Sequence, residues 1–110
     1  MTTALSILAT PRRRELLRLC WRAERSAGEL WRAMDEVSFG AVSQHLGVLA
    51  GAGLVSVRRD GRRRLYRARP DALGPLAVSL EKMWDDSLER LKLRAELLES
   101  RRGPRPQRRT

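Results

Sequence analysis

The chain has 110 residues, 42% of them hydrophobic, with 23 basic side chains against 13 acidic and a formal net charge of +10. That is enough for one domain and not two, with a core small enough to gain from a partner subunit. No apolar run reaches the about 20 residues that span a bilayer. The single cysteine, Cys20, and single histidine, His45, exclude a disulfide framework and a Cys/His zinc site of the usual kind, and the one imidazole sits in an otherwise binding-type segment, which argues against a catalytic triad.

An enzyme is therefore not expected, nor a cofactor, nor a membrane partner. Residues 1–9 lack the basic start of a signal peptide, and a lone thiol suits a reducing cytoplasm. Arginine supplies 21 of the 23 bases. Its planar fork binds phosphate in a bidentate way, so the surplus points to nucleic acid, although a GC-rich genome would give part of the same bias.

In chain order, Leu5 and Leu8 stand three apart and predict a short first helix. Thr10-Pro11 predicts a helix start, a hydroxyl cap before a proline whose missing N–H is harmless there. Leu16, Leu17, Leu19 and Cys20 form the inner side of that helix, with Arg12, Arg13, Arg14 and Arg18 mostly outside. Ser26 with Glu29 is a capping box opening a helix with Leu30 and Met34 inside. Asp35 and Glu36 make a turn. Ser38 then caps a helix running to Ala52, with Val42, Leu46 and Leu49 on its inner stripe and Gly51 and Gly53 at its end.

The period then changes. Residues 54–59 and 62–67 read as two strands around the turn Asp60-Gly61. That register sets Arg59 opposite Arg62, Arg58 opposite Arg63 and Val57 opposite Arg64, a crowding of like charge that is destabilising unless an anion lies against it. Pro70-Asp71 breaks the strand. From about Leu73 a long helix follows, carrying Leu73, Leu76, Ala77, Leu80, Trp84, Leu88, Leu91, Ala95 and Leu98 at spacings of three and four. Gly103, Pro104 and Pro106 stop it. One domain over 1–100 and a disordered basic tail over 101–110 are expected.

Helix, turn, capped helix and basic hairpin is the order of a winged helix-turn-helix, a mainly α fold with a small β-hairpin wing. Its second helix enters the major groove of double-stranded DNA and touches base edges with its first turns. Here that helix offers Ser38, Phe39, Gly40, Ala41, Ser43, Gln44 and His45. Gln44 can pair in a bidentate way with adenine, and small Gly40 and Ala41 let the backbone approach closely. From the wing, Arg58, Arg62, Arg63 and Arg64 are the expected phosphate or minor-groove contacts. The apolar stripe of the last helix is longer than so small a body covers, so part of it calls for a second chain.

These residues carry a family resemblance. The run Ser-Phe-Gly-Ala-Val-Ser-Gln-His-Leu (38–46), then Leu49, Gly53-Leu54-Val55 and Arg-Arg-Asp-Gly-Arg-Arg-Arg-Leu-Tyr (58–66), resembles the ArsR family of bacterial repressors. Residues 8–14, Leu-Ala-Thr-Pro-Arg-Arg-Arg, are similar to the family's opening, and the likeness extends over about residues 4–98. It implies a homodimeric winged helix-turn-helix whose first and last helices form the dimer interface, and a repressor that sits on its operator until released; a two-fold dimer makes an inverted-repeat operator the expectation. Leu5, Leu8, Leu73, Leu76, Leu80, Trp84, Leu88 and Leu91 are the interface residues it implies, with Trp84 at the centre. The stretch 84–92, Trp-Asp-Asp-Ser-Leu-Glu-Arg-Leu-Lys, looks most like the metal-independent branch.

The departures carry weight too. Where the family's metal sensors have paired cysteines, this chain has Ser26, Ala27 and Gly28, and its last helix has no histidine. No metal is expected through those sites. Gly47 stands where many relatives carry Lys or Arg, and an added residue near Asp35-Glu36 lengthens the turn. Cys20 reads as core, Trp21 and Trp31 as packing, and Glu81, Asp85, Asp86 and Glu89 as an exposed face. His45 is either a base contact or a hydrogen-bonded scaffold residue. Two rival functions remain: a non-specific architectural DNA binder, for which the arginine surplus suffices, and a protein-interaction module acting as an anti-activator. The polar, small-residue helix favours sequence-specific binding over both.

Overall fold

The computed structural model describes residues 3–102, with side chains outside 88–94, 96 and 98–102. The elements run α1 (Ala4–Ile7), α2 (Pro11–Leu19), β1 (Arg25–Ser26), α3 (Ala27–Ala33), α4 (Phe39–Gly51), β2 (Val55–Asp60), β3 (Arg63–Ala68), α5 (Pro70–Leu73) and α6 (Pro75–Arg102). They divide into two compact units, one closing at Ala77 and the other opening at Val78.

In the first unit, local chemistry sets each helix end. The capping box at Ser26 is complete: its hydroxyl accepts from Glu29 N–H at 3.1 Å, and its own N–H donates to the Glu29 carboxylate at 3.0 Å. Ser38 accepts from Ala41 N–H at 3.1 Å and starts α4. That helix ends in a Schellman turn: Gly53 takes φ +77°, Leu54 N–H donates to Leu49 C=O at 2.9 Å, and Gly53 N–H donates to Ala50 C=O at 3.0 Å. The left-handed residue belongs to glycine because a Cβ there meets the backbone. Thr10 differs from expectation. It occupies the N-cap of α2, but its hydroxyl caps nothing, and only its carbonyl serves, accepting from Arg13 and Arg14 N–H.

The hydrophobic face predicted from spacing forms the core. Leu16, Leu17, Cys20, Leu30, Val42, Leu46 and Leu49 are fully buried, and Leu54, Val55, Leu65, Tyr66 and Leu73 close around them. Cys20 donates its S–H to Leu16 C=O, and burial pushes its thiol up to about 11. It is a packing residue.

The sheet corrects two expectations. It has three strands in the order β1-β3-β2, because Arg25 and Ser26 pair antiparallel with Tyr66 and Leu65. Two residues, the second of them the capping-box serine itself, carry no alternating pattern, so β1 left no trace in the sequence. The hairpin also turns one residue later than expected. Asp60 pairs with Arg63, Arg59 with Arg64, Arg58 with Leu65 and Val57 with Tyr66, so none of the expected facing pairs forms. The loop is Gly61-Arg62, with Gly61 at φ +64° and the only positive φ of a described non-glycine residue at Glu36. That is the pattern of a type II′ turn, whose glycine comes first, whereas a turn on Asp60-Gly61 would be type I′ and would force Asp60 to positive φ. One strand pair still sets arginine against arginine, but Asp60 now lies opposite Arg63.

A short α5 separates the wing from α6. Gly74, at φ +56°, breaks the path, and Pro75 opens the next helix. The long helix therefore starts at Pro75 rather than Leu73, and Leu73 belongs to the first unit's core.

The second unit is the remainder of α6. Val78, Met83 and Leu97 are exposed on it, Leu80 is buried and Trp84 half-buried. Ala95 of the apolar stripe is exposed. The helix runs through Arg102, two residues into the expected tail, and the rest of that expectation lies outside the described residues, as do the side chains of Leu88, Leu91 and Leu98. No helix among the described residues is long and apolar enough to cross a membrane.

Candidate nucleic-acid interface

Helices α3 and α4 with residues 34–38 between them form the helix-turn-helix. Its turn is bound from two sides. Trp31 Nε1–H donates to Val37 C=O at 2.9 Å, and Arg12 donates to Glu36 C=O at 3.3 Å. Glu36 itself adopts φ +53°, a left-handed conformation that costs a residue with a Cβ about 1–2 kcal/mol. Strain at the turn is thus offset by hydrogen bonds from a tryptophan and an arginine. Trp31 also meets Phe39 edge to face, with ring centroids 5.7 Å apart at 90°.

Beyond the turn, the first half of α4 turns its polar residues outward. Ser38, Phe39, Gly40, Ser43 and Gln44 are exposed and Ala41 is half-buried. A Cβ added at Gly40 or Gly47 meets nothing within 4 Å, so the helix surface there is open to close approach. His45 is different. It is half-buried, and its Nδ1 accepts from Arg13 Nε at 3.1 Å. Burial first, then the charges of Arg13 and Arg12, hold the imidazole below its ordinary pKa. This favours the scaffold reading of His45: it joins α4 to α2.

Arg13 and Arg14 are likewise not outward-facing, as spacing had suggested. Both are half-buried, and they donate to Ile7 C=O at 3.3 Å and Leu8 C=O at 2.6 Å. A four-residue helix leaves its last carbonyls without intrahelical donors, and these two guanidinium groups supply them.

The wing adjoins α4 through an open cleft of about 460 Å³. Phe39 and Ser43 line one side of it, and Arg62, Arg63 and Arg64 line another. Arg32, which spacing did not single out, contributes a fourth guanidinium group from α3. Arg58 does not line the cleft. Its guanidinium grips Glu24 with two bonds of 2.8 and 2.9 Å, and this contact lowers the Glu24 pKa and raises that of Arg58. Asp60 stands 3.6 Å from Arg63, and Arg62 and Arg64 pair with no acid among the described residues.

Of the expected interface residues on the outer helices, Leu5 is 67% exposed, whereas Leu8 and Leu73 are buried within the single chain. They have little surface left to offer a second chain. Leu76 is half-buried. Among the described residues no three His, Cys, Asp or Glu side chains gather into a metal-holding group.

Comparison with known proteins agrees with this architecture. Residues 10–57 match the model of the bacterial regulatory proteins of the arsR family. The HTH-type transcriptional regulator Rv2034 of Mycobacterium tuberculosis is 39% identical over 85 residues, which cover 77% of this chain and 78% of that protein. The chain belongs to the arsR family. This is a family of DNA-binding transcriptional regulators and not of enzymes. Two further M. tuberculosis regulators match at 42% identity over 73 residues, where the match spans 64% of their length.

Solved arsR-type structures share the winged helix-turn-helix. A possible transcriptional regulator for arsenical resistance superposes with a TM-score of 0.61 at 40% identity, covering 81% of this chain and 92% of that one. The homodimeric winged helix-turn-helix DNA-binding domain of Mb0332 from Mycobacterium bovis gives 0.61 at 30% identity, covering 76% of this chain and 77% of that one.

Proposed function

We propose that this arsR-family protein is a cytoplasmic, sequence-specific DNA-binding regulator: a homodimeric repressor on an inverted-repeat operator, not released by metal through the family's familiar sites. The observation that carries the reading is the shared cleft, in which Ser43 and Phe39 of the recognition helix face the wing arginines Arg62, Arg63 and Arg64. A polar helix face can read bases, and adjacent guanidinium groups can hold the flanking phosphates in register. Ser38, Gly40, Ala41 and Gln44 complete the reading face. Arg58 and His45 are each already bonded within the chain, to Glu24 and Arg13.

Dimerisation is supported by the apolar side chains that the outer helices leave uncovered, Leu5 on α1 and Val78 and Met83 on α6, and by the homodimeric neighbour Mb0332. Trp84 is the proposed centre of that contact. Two recognition helices related by a two-fold axis then meet half-sites about 10 bp apart or more. Against metal release stand the buried, high-pKa Cys20 thiol and the engagement of His45 with Arg13.

The test is footprinting on the promoter of this gene and its neighbours, followed by Gln44→Ala. The variant is expected to lose about 1–3 kcal/mol on the operator and little on random DNA. Equal losses on both would transfer the protein to the architectural class, and no binding to either would leave the anti-activator. Sedimentation of wild type and Trp84→Ala tests the dimer: a monomeric wild type overturns it, and an unweakened variant overturns the choice of Trp84.

A further inference from the structure

Phe39 shares its cleft with four arginines and with Ala27 and Tyr66, yet its phenyl ring stays open to a partner. Phe39 is 46% exposed and Trp31 40% exposed, yet neither ring is loose. Trp31 is fixed by its N–H bond to Val37 C=O, and Phe39 stands perpendicular to it at 5.7 Å. Phe39 is the first residue of α4, and Ser43 lies one turn further on the same face of the cleft. The ring therefore sits where a recognition helix first meets base edges. A phenyl ring makes no conventional hydrogen bond there, and the apolar feature that a major groove exposes is the 5-methyl group of thymine.

We propose that Phe39, held rigid by Trp31, reads a thymine methyl in each operator half-site, making the aromatic pair a determinant of sequence preference beside the hydrogen bonds of Gln44 and Ser43. This rests on the DNA-binding reading above. Pre-set rings lose little side-chain freedom on binding, so the contact favours affinity more than a free phenylalanine would. It touches no phosphate, so it adds nothing to the salt dependence.

The experiment replaces each thymine of the footprinted half-site, one symmetric pair at a time, by deoxyuridine, which deletes only the methyl group. Burying one methyl corresponds to about a fourfold change in affinity per half-site. Replacing a pair alters both half-sites, so wild-type protein should lose about sixteenfold at one position. Phe39→Ala should bind the natural operator more weakly, keep the wild-type salt slope, and no longer distinguish thymine from uracil at that position. Wild type indifferent to every replacement overturns the proposal without recourse to any variant, while leaving DNA binding intact. So does Phe39→Ala with full discrimination, which would assign the rings to packing or to a protein partner. Absence of any footprint overturns both this inference and the reading beneath it.

Discussion

The wing offers its arginines in three states, and the states predict an order of effects. Arg62 and Arg64 pair with no acid among the described residues, Arg63 shares Asp60 at 3.6 Å, and Arg58 is gripped by Glu24 through two bonds. A phosphate contact releases condensed counterions, so losing one flattens the plot of log affinity against log salt by about 0.9. In a two-fold dimer each substitution acts twice, giving a change of about 1.8 for Arg62→Ala or Arg64→Ala. Between about 50 and 200 mM salt the wild-type affinity then falls about twelvefold further than that of either variant. Arg63→Ala should move the slope less, because Asp60 already holds part of that charge. Arg58→Ala should leave the slope nearly unchanged. Fluorescence anisotropy on a labelled operator over a salt series measures all four. Wild-type slopes for both Arg62→Ala and Arg64→Ala, or the largest change from Arg58→Ala, would refute the assignment of the wing.

Three further predictions concern the scaffold. Gly47 lies inside α4 with open space around it, so Gly47→Ala should raise stability by about 1 kcal/mol in urea unfolding; an unchanged midpoint would contradict the exposed-helix assignment. Glu36 holds φ +53°, and only its carbonyl is engaged, so Glu36→Gly should stabilise by about 0.5–1 kcal/mol, the relief of left-handed strain less the entropy of glycine. A loss of stability there would mean that the carboxylate has an unrecognised role. The His45 pKa is depressed in the fold. The unfolded chain therefore binds the proton more readily, and the contribution of His45, full above the unfolded pKa, is lost as pH falls through the folded one. Thermal unfolding should show that decline in wild type and less of it in His45→Asn, whose Oδ1 can still accept from Arg13; identical pH profiles would remove His45 from the account.

Much of this fold was legible because its signals are local. Ser26 with Glu29, Ser38 before an apolar stripe and Gly53 after it announce helix ends through single hydrogen bonds, and each appears where spacing put it. The hairpin was legible as an element but not in its register. A one-residue displacement of the turn depends on which residue takes positive φ, and both Asp60-Gly61 and Gly61-Arg62 are acceptable sequences for a two-residue loop. The third strand was not legible at all, since two residues have no period. Burial of Leu8 and Leu73 was equally hidden: a leucine repeat shows that a face is apolar, not whether its own chain or another covers it. The face of the recognition helix was readable because exposed polar residues at N-terminal helical positions define it, whereas Arg32 reached the cleft only through the tertiary approach of α3 to the wing.

The arginines carry the deeper lesson about charge. Composition counts 21 of them toward a polyanion, but the structure divides them by the partner each has found. Arg12, Arg13 and Arg14 give their donors to Glu36, His45, Ile7 and Leu8, joining α1, α2, the turn and α4. Arg58 serves Glu24. These side chains remain charged, so they add to the long-range field that draws DNA in, yet each already commits one or two of its five donors to a fixed acceptor within the protein. Arg32, Arg62, Arg63 and Arg64 keep most of theirs and share one cleft with the recognition helix. Steering and docking are thereby separate properties of the same residue type. The first follows from net charge and is visible in any count, and the second depends on which carbonyls and carboxylates the fold has left within reach.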